Sequence, residues 1–321
     1  MRIMTELNGI YPIIELPEEV NPNPSLPIPA QFNVMNQNIM NQNKIEQQVV
    51  IIDSQMLSSM QNCWREYQLR FRFNLKPSST PDYFKNGSLL HHGLAKYYEG
   101  IKLGLPKGEC KLRAMQRMHE SIPELNIEAE AGNWLIQTID QYCDFYKNDS
   151  LVPIAIEQPF AKIIYEEPTL KIIYAGVIDL LIQDKEHRKA VDHKSETRHY
   201  DPSDLDNQFM GYTESIEGSW FMVNKIGLQK TLKPEQKFRR YVIRYEKPRL
   251  NEWLTNTVIY VKEMLEREQF PMNLTSCEKF KGCAFRSFCR SIPAVRPLIL
   301  EREYRVDEPW DPIKRLRKEN E

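Results

Sequence analysis

Gly176-Val177-Ile178-Asp179-Leu180, followed after a polar interruption by Val191-Asp192-His193-Lys194-Ser195, decides how this chain is read. Leu170 to Ile182 is rich in β-branched and apolar residues, Asp184 to Lys189 is a charged turn, and Ala190 to Ser195 starts a second strand, so the stretch reads as a β-hairpin. Aspartate is depleted in strands and costly to bury, so Asp179 needs a partner, a metal or a chemical task. In the second strand, alternation puts Asp192 and Lys194 on one face and His193 on the other. Pairs whose numbers sum to 371 centre the hairpin between Lys185 and Glu186 and set Asp179 opposite Asp192. Their Cβ atoms would then lie about 4.5–5.5 Å apart. Two carboxylates so close repel unless a cation neutralises them, and hard divalent ions such as Mg²⁺ or Mn²⁺ meet that need.

The chain has 321 residues, enough for one large domain with appendages or two small ones. With 43 Lys and Arg against 44 Asp and Glu, its formal charge of −1 excludes a histone-like basic binder but leaves room for one positive groove. No run approaches the roughly eighteen apolar residues of a membrane span. Met1 to Leu16 mixes Glu6, Asn8, Pro12 and Glu15 into its apolar residues and offers no signal-peptide core. A cytoplasmic protein is expected, with its six cysteines free or metal-bound rather than paired.

Residues 17–48 form a composition shift: Pro22, Pro24, Pro27 and Pro29 precede an Asn/Gln/Met-rich run, as in a linker or extended arm. A helix capped by Asp53 or Ser54 follows, with Met56, Leu57, Met60, Cys63, Trp64 and Tyr67 as its apolar stripe. Gly87 to Tyr98 opens a second helix with His91 in its first turns, and residues 111–120 and 124–147 continue the helical region. Cys110 and Cys143 fall there as structural residues. Strands are expected at 152–157, 160–165, 170–182 and 189–195, then a helix over 204–217 that puts Leu205, Gln208, Tyr212 and Ile216 on one face. Phe238 to Tyr245 reads as a strand, and Leu250 to Glu268 as an amphipathic helix. Arg239, Arg240, Arg244 and the tail Lys314 to Lys318 are candidate phosphate contacts.

Cys277, Cys283 and Cys289 bring half the cysteines into thirteen residues. Their five-residue gaps do not match the short knuckles of structural zinc sites, and three thiolates leave a tetrahedral site one ligand short. Cys63, at the start of the ordered chain, is the candidate fourth, and a [4Fe-4S] cluster is the natural occupant. It would clasp the first helix to the last segment.

The order Gly87-x-x-x-His91, Gly176-x-x-Asp179, Asp192-x-Lys194 and Gln208-x-x-x-Tyr212, with one cysteine before and three after, resembles the RecB-like branch of the PD-(D/E)XK nucleases. It is similar to the iron-sulfur members among helicase-nuclease subunits, CRISPR adaptation nucleases and bacteriophage exonucleases. That resemblance implies an α/β core with a central mixed sheet flanked by helices, a helical subdomain and a cluster clasp. It implies an arm over 1–50, a nuclease domain over 51–295 with a helical insertion near 85–147, and a tail over 296–321. His91, Asp179 and Asp192, with the carbonyl of His193, would bind Mg²⁺ or Mn²⁺. Lys194 would orient the attacking water and offset phosphate charge, while Gln208 and Tyr212 would contact the DNA backbone and support the site. Cys63, Cys277, Cys283 and Cys289 would hold the cluster. Glu157 stands where relatives often carry a glutamate, with no role assigned. The expected activity is a metal-dependent DNA exonuclease acting on single strands or ends, working with a helicase or annealing protein. A structure-specific endonuclease, an RNase and a non-catalytic iron-sulfur subunit are the alternatives.

Overall fold

The computed structural model describes residues 47–79, 81–184, 187–197, 200–278, 282–314 and 316. In chain order come β1 (Gln48–Ile52), α1 (Ser54–Asn62), α2 (Trp64–Tyr67), β2 (Leu75–Pro77), α3 (Asp82–Lys102), α4 (Lys107–Glu124) and α5 (Ala129–Phe145). The second half holds β3 (Val152–Glu166), β4 (Leu170–Asp184), β5 (His187–Glu196), α6 (Asn207–Ser215), β6 (Trp220–Gly227), α7 (Pro234–Lys237) and β7 (Phe238–Arg244). It ends with α8 (Lys247–Glu266), α9 (Arg286–Arg290), α10 (Arg296–Glu303) and β8 (Tyr304–Val306).

The main sheet is mixed and runs β1-β4-β5-β6-β7, with β3 also paired to β4; β2 and β8 make a separate two-stranded ribbon. Apolar side chains on both faces require a cover on both. Ile52, Ile172, Tyr174, Phe209, Phe221 and Trp253 pack one core with α1, α6 and α8. Leu94, Tyr97, Ile139, Leu180, Val191 and Met222 pack the other, against α3, α4 and α5. The α/β architecture expected from the sequence is therefore present.

A strand has two edges. One edge of β4 is taken along its length by antiparallel β3. The other is divided: β1 pairs in parallel with Leu170–Tyr174, and β5 pairs antiparallel with Leu180–Asp184. Between those pairings, Ala175 to Asp179 face a gap, and α6 packs over it. Gly176 lies at that gap, where a Cβ would stand 2.9 Å from a ring carbon of Tyr212 and 3.1 Å from the Phe160 ring. Gly176→Ala is expected to destabilise the fold by about 2 kcal/mol, because both rings must shift; the midpoint of urea unfolding measures it.

Several expectations need correction. The strands expected at 152–157 and 160–165 are one strand, β3, with register shifts between Pro153 and Ala155 and between Ile163 and Tyr165. Asp184 and His187 pair as strand residues, so the charged turn is shorter than expected; residues 185 and 186 lie outside the described residues. α3 begins five residues before Gly87, which moves His91 to the third turn. α1 stops at Cys63, whose extended backbone (φ −164°, ψ 111°) divides the expected stripe between two helices. Leu205 precedes α6 and is exposed rather than sharing its packed face. β1 begins inside the segment read as an arm, and β6 was not anticipated. Most of that arm, residues 1–46, lies outside the described residues, as does the tail residue Lys318.

Candidate active site

The hairpin keeps the register summing to 371, from Asp184↔His187 to Leu180↔Val191, and its ladder stops one step before Asp179 and Asp192. Asp179 does not pair with Asp192. Its Oδ2 instead accepts the backbone N–H of His193 at 2.8 Å. On the other edge the β3–β4 ladder also omits one step, passing from Ile156↔Leu180 to Gln158↔Ile178. Glu157 holds the omitted position, with a left-handed φ of 49° that non-glycine residues adopt only under constraint. Ile178 packs into the first core and Leu180 into the second, so strict alternation breaks at Asp179. These irregularities bring the Glu157 and Asp179 side chains to one place.

His91, from the middle of α3, completes that cluster. One nitrogen of His91 and one oxygen each from Glu157 and Asp179 lie within 4.8 Å of one another. His91 Nε2 donates to the His193 carbonyl at 2.9 Å, and Nδ1 stands 3.5 Å from Asp179 Oδ2. Burial works to neutralise this imidazole, but the carboxylates of Asp179, Asp192 and Glu157 outweigh it and raise its pKa to about 9. Burial raises the Asp179 carboxyl above its ordinary range, the Asp192 charge adds to that, and His91 opposes it. The pocket thus accumulates negative charge and already stabilises one positive charge in its midst.

Asp192, 3 % exposed at its side chain, lies beside this set, held from α6 and its own strand. Its Oδ1 accepts from Gln208 Nε2 at 2.8 Å. Its Oδ2 accepts no hydrogen bond of good geometry and has the Lys194 ammonium 2.9 Å away. Lys194 Nζ donates to Gln208 Oε1 at 2.8 Å, closing a triangle of carboxylate, amide and ammonium. Burial disfavours the ammonium, yet Asp192 and Asp179 more than compensate and raise its pKa. Asp206 caps α6, accepting the Gln208 N–H at 2.8 Å, and so fixes the helix end that presents Gln208. Tyr212, one turn further, is buried edge-on against Phe160 at 5.2 Å.

The structure therefore brings together His91, Asp179, Asp192, His193, Lys194 and Gln208, with Tyr212 beneath them. Sequence reasoning gave no role to Glu157, since nothing local marks a left-handed residue between Ile156 and Gln158. Arg240 was misassigned as a phosphate contact. It is half-buried behind the site, 2.6 Å from Asp149 and under the helical layer, where it reaches Tyr98 and Tyr142. Arg239 is exposed. Carboxylates, an imidazole and a backbone carbonyl are hard donors, and His91, Glu157 and Asp179 bring one such atom each within 4.8 Å of the others, so the residues fit a divalent metal ion.

A second cluster lies at Cys63. Its Sγ accepts the Asn273 N–H at 3.3 Å, Cys283 Sγ accepts the Phe285 N–H at 3.5 Å, and the Cys277 carbonyl accepts the Cys283 N–H at 3.1 Å. Burial first, with the charges of neighbouring cysteines adding, pushes the thiols of Cys283 and Cys289 up to about 11. The charges of Cys63 and Cys277 contribute to both shifts. Cys110 and Cys143 are buried in the helical layer.

A mixed sheet flanked by helices thus carries two acids and a lysine on its adjacent strands β4 and β5. The chain belongs to the PD-(D/E)XK nuclease superfamily, whose model matches residues 55–290. Among solved structures, SSO0001 is similar at 11 % identity with a TM-score of 0.39, covering 79 % of this chain and 88 % of that one. LHK-Exo in complex with dAMP is similar at 10 % identity with a TM-score of 0.29, covering 40 % of this chain and 64 % of that one. No curated protein matches the chain.

Glu157→Gln is expected to weaken Mn²⁺ binding about 10-fold, since it removes one anionic ligand while keeping the side-chain shape. Isothermal titration of the DNA-free protein reads the change; an unaltered dissociation constant would remove Glu157 from the site.

Proposed function

We propose that this protein is a DNA exonuclease dependent on Mg²⁺ or Mn²⁺, acting on single strands or on duplex ends. The observation that carries the reading is the convergence of Asp179, Asp192 and Lys194 with His91 and Glu157 around Asp179 of β4. Bound through His91, Glu157, Asp179, Asp192 and the His193 carbonyl, the ions would supply Lewis acidity at the phosphate and a nucleophilic water at neutral pH. Lys194, charged and 41 % exposed at its side chain, faces solvent with an ammonium that offsets charge on the scissile phosphate. Gln208 keeps that ammonium and the Asp192 carboxylate in one arrangement, so neither must reorganise when the substrate arrives. Tyr212 and Gly176 seat α6 against β4.

A [4Fe-4S] cluster on Cys63, Cys277, Cys283 and Cys289 belongs to the same proposal. The N–H groups on Cys63 and Cys283 are the kind that tune such a cluster.

Digestion of 5′- and 3′-labelled linear DNA, single- and double-stranded, is compared with covalently closed circles in Mg²⁺ or Mn²⁺. Mononucleotide release from linear substrates, with circles intact, is expected. Nicking of circles would replace the exonuclease with an endonuclease, and degradation of RNA alone would replace the substrate.

A further inference from the structure

The face of β5 opposite Asp192 and Lys194 carries an arrangement that the proposed chemistry does not use. His193, Asn224 and Arg240 are register partners across β5, β6 and β7, forming one row over three strands. The His193 ring is buried, 4 % exposed, and stacks on Tyr98 of α3 with centroids 5.7 Å apart and planes 10° apart. Its Nδ1 receives Asn224 Nδ2 at 2.8 Å, and the same amide donates to Tyr142 of α5 at 2.9 Å. The hydroxyls of Tyr142 and Tyr98 are 2.6 Å apart. Arg240 donates to both, at 3.3 and 3.1 Å, and is held by Asp149 at 2.6 Å and by its stacking on Tyr146 at 3.7 Å.

The same residue, His193, meets the site through its peptide and through an edge-to-face contact of its ring with the His91 ring, centroids 6.0 Å apart. Its N–H holds the Asp179 carboxylate and its carbonyl faces His91. A peptide between two functional groups stays oriented only if its side chain cannot rotate, and burial, stacking and a hydrogen bond together remove that freedom.

We propose that Asn224, backed by Tyr98, Tyr142 and Arg240, is a positioning residue that locks the His193 ring and thereby aims the His193 peptide N–H and carbonyl at the metal site. The inference rests on the metal-site reading above. It assigns a function to a polar row, buried at His193 and Asn224, that packing alone does not require, since apolar side chains of similar shape would fill the same layer.

The test is Mn²⁺ binding to DNA-free protein, read from the electron paramagnetic resonance signal of the unbound ion. Asn224→Ala and His193→Ala, which keeps the carbonyl but loses the locked ring, should each weaken binding about 10-fold. The double variant should be no weaker than either single one, because both remove the same restraint. Thermal unfolding confirms that each variant is folded, and Asn224→Ser substitutes for Asn224→Ala where it is not. Wild-type affinity in a folded Asn224 variant, or losses that multiply in the double variant, would overturn the inference while leaving the metal site intact. Absence of Mn²⁺ binding by the wild-type protein would overturn the metal-site reading and this inference with it.

Discussion

Lys194→Met should lower DNA cleavage about a thousandfold in saturating Mn²⁺ while metal binding survives. Removing a positioned cation that acts on transition-state charge costs two to four decades of rate. The structure adds a second, separable effect. Asp192 is 3 % exposed, and Lys194 is its ion-pair partner at 2.9 Å. In the variant that carboxylate keeps Gln208 Nε2 and loses the ammonium. Because Lys194 is itself partly exposed, the expected loss of stability in metal-free protein is modest, about 1–2 kcal/mol. A divalent ion bound next to Asp192 compensates the missing charge, so added Mn²⁺ should restore most of the stability and none of the activity. Single-turnover cleavage of end-labelled DNA reads the first effect, and urea unfolding with and without Mn²⁺ reads the second. Cleavage equal to wild type would show that the chemistry lies elsewhere. A stability deficit that Mn²⁺ leaves unchanged would separate Asp192 from the metal.

How much of this was legible in the sequence depends on how local each determinant is. The hairpin register followed from one symmetric turn between two apolar runs, and it holds up to Leu180↔Val191. The Asp53 cap was equally local, and its Oδ1 accepts the Met56 N–H at 2.8 Å. β1 was lost in an apparent arm because Gln48 to Ile52 become a strand only through parallel pairing with Leu170 to Tyr174, more than a hundred residues later. β6 was missed for a different reason. Asn224 and Lys225 interrupt its apolar pattern, and both are buried because partners from distant segments satisfy them: His193 and Tyr142 for the first, Glu196 for the second. The same cause misplaced Arg240, whose charge suggests solvent until Asp149 and two tyrosines are seen around it. At the site, residue types announced Asp179, Asp192 and Lys194. What could not be read was that the β4–β5 ladder stops and the β3–β4 ladder skips a step at the same level, which turns Glu157 and Asp179 out of the pairing and into the cluster.

Cys63→Ser is expected to abolish iron incorporation and to lower the thermal unfolding midpoint by about 10 °C or more. A group bound only by the folded chain contributes its binding free energy to folding; for structural zinc sites that is about 10–16 kcal/mol, more than any single core truncation. The segments it would join are also held by Arg65, which donates to the Phe270 and Pro271 carbonyls, and by the buried rings of Phe270, Phe285 and Phe288. Cys63 interrupts α1 and α2, and contacts near it run through Pro271, Asn273 and Ser276, including Asn273 Nδ2 and Ser276 Oγ on the Asn62 carbonyl at 2.8 and 2.9 Å. Those are partly exposed polar contacts, each contributing about 1 kcal/mol. Burial keeps the Cys283 and Cys289 thiols protonated at neutral pH when no metal competes, so the cluster must displace those protons as it binds. At Cys283 and Cys289 its loss therefore leaves neutral thiols rather than buried anions, and the main cost of the substitution is the lost binding energy. Serine retains the size of the side chain, which keeps cavity formation out of the measurement. Anaerobically purified wild-type protein should be brown, with broad absorption near about 400 nm and four irons per chain. A colourless wild-type protein carrying zinc, or a Cys63→Ser protein that keeps both its iron and its unfolding midpoint, would show that Cys63 is not a ligand of an iron-sulfur cluster.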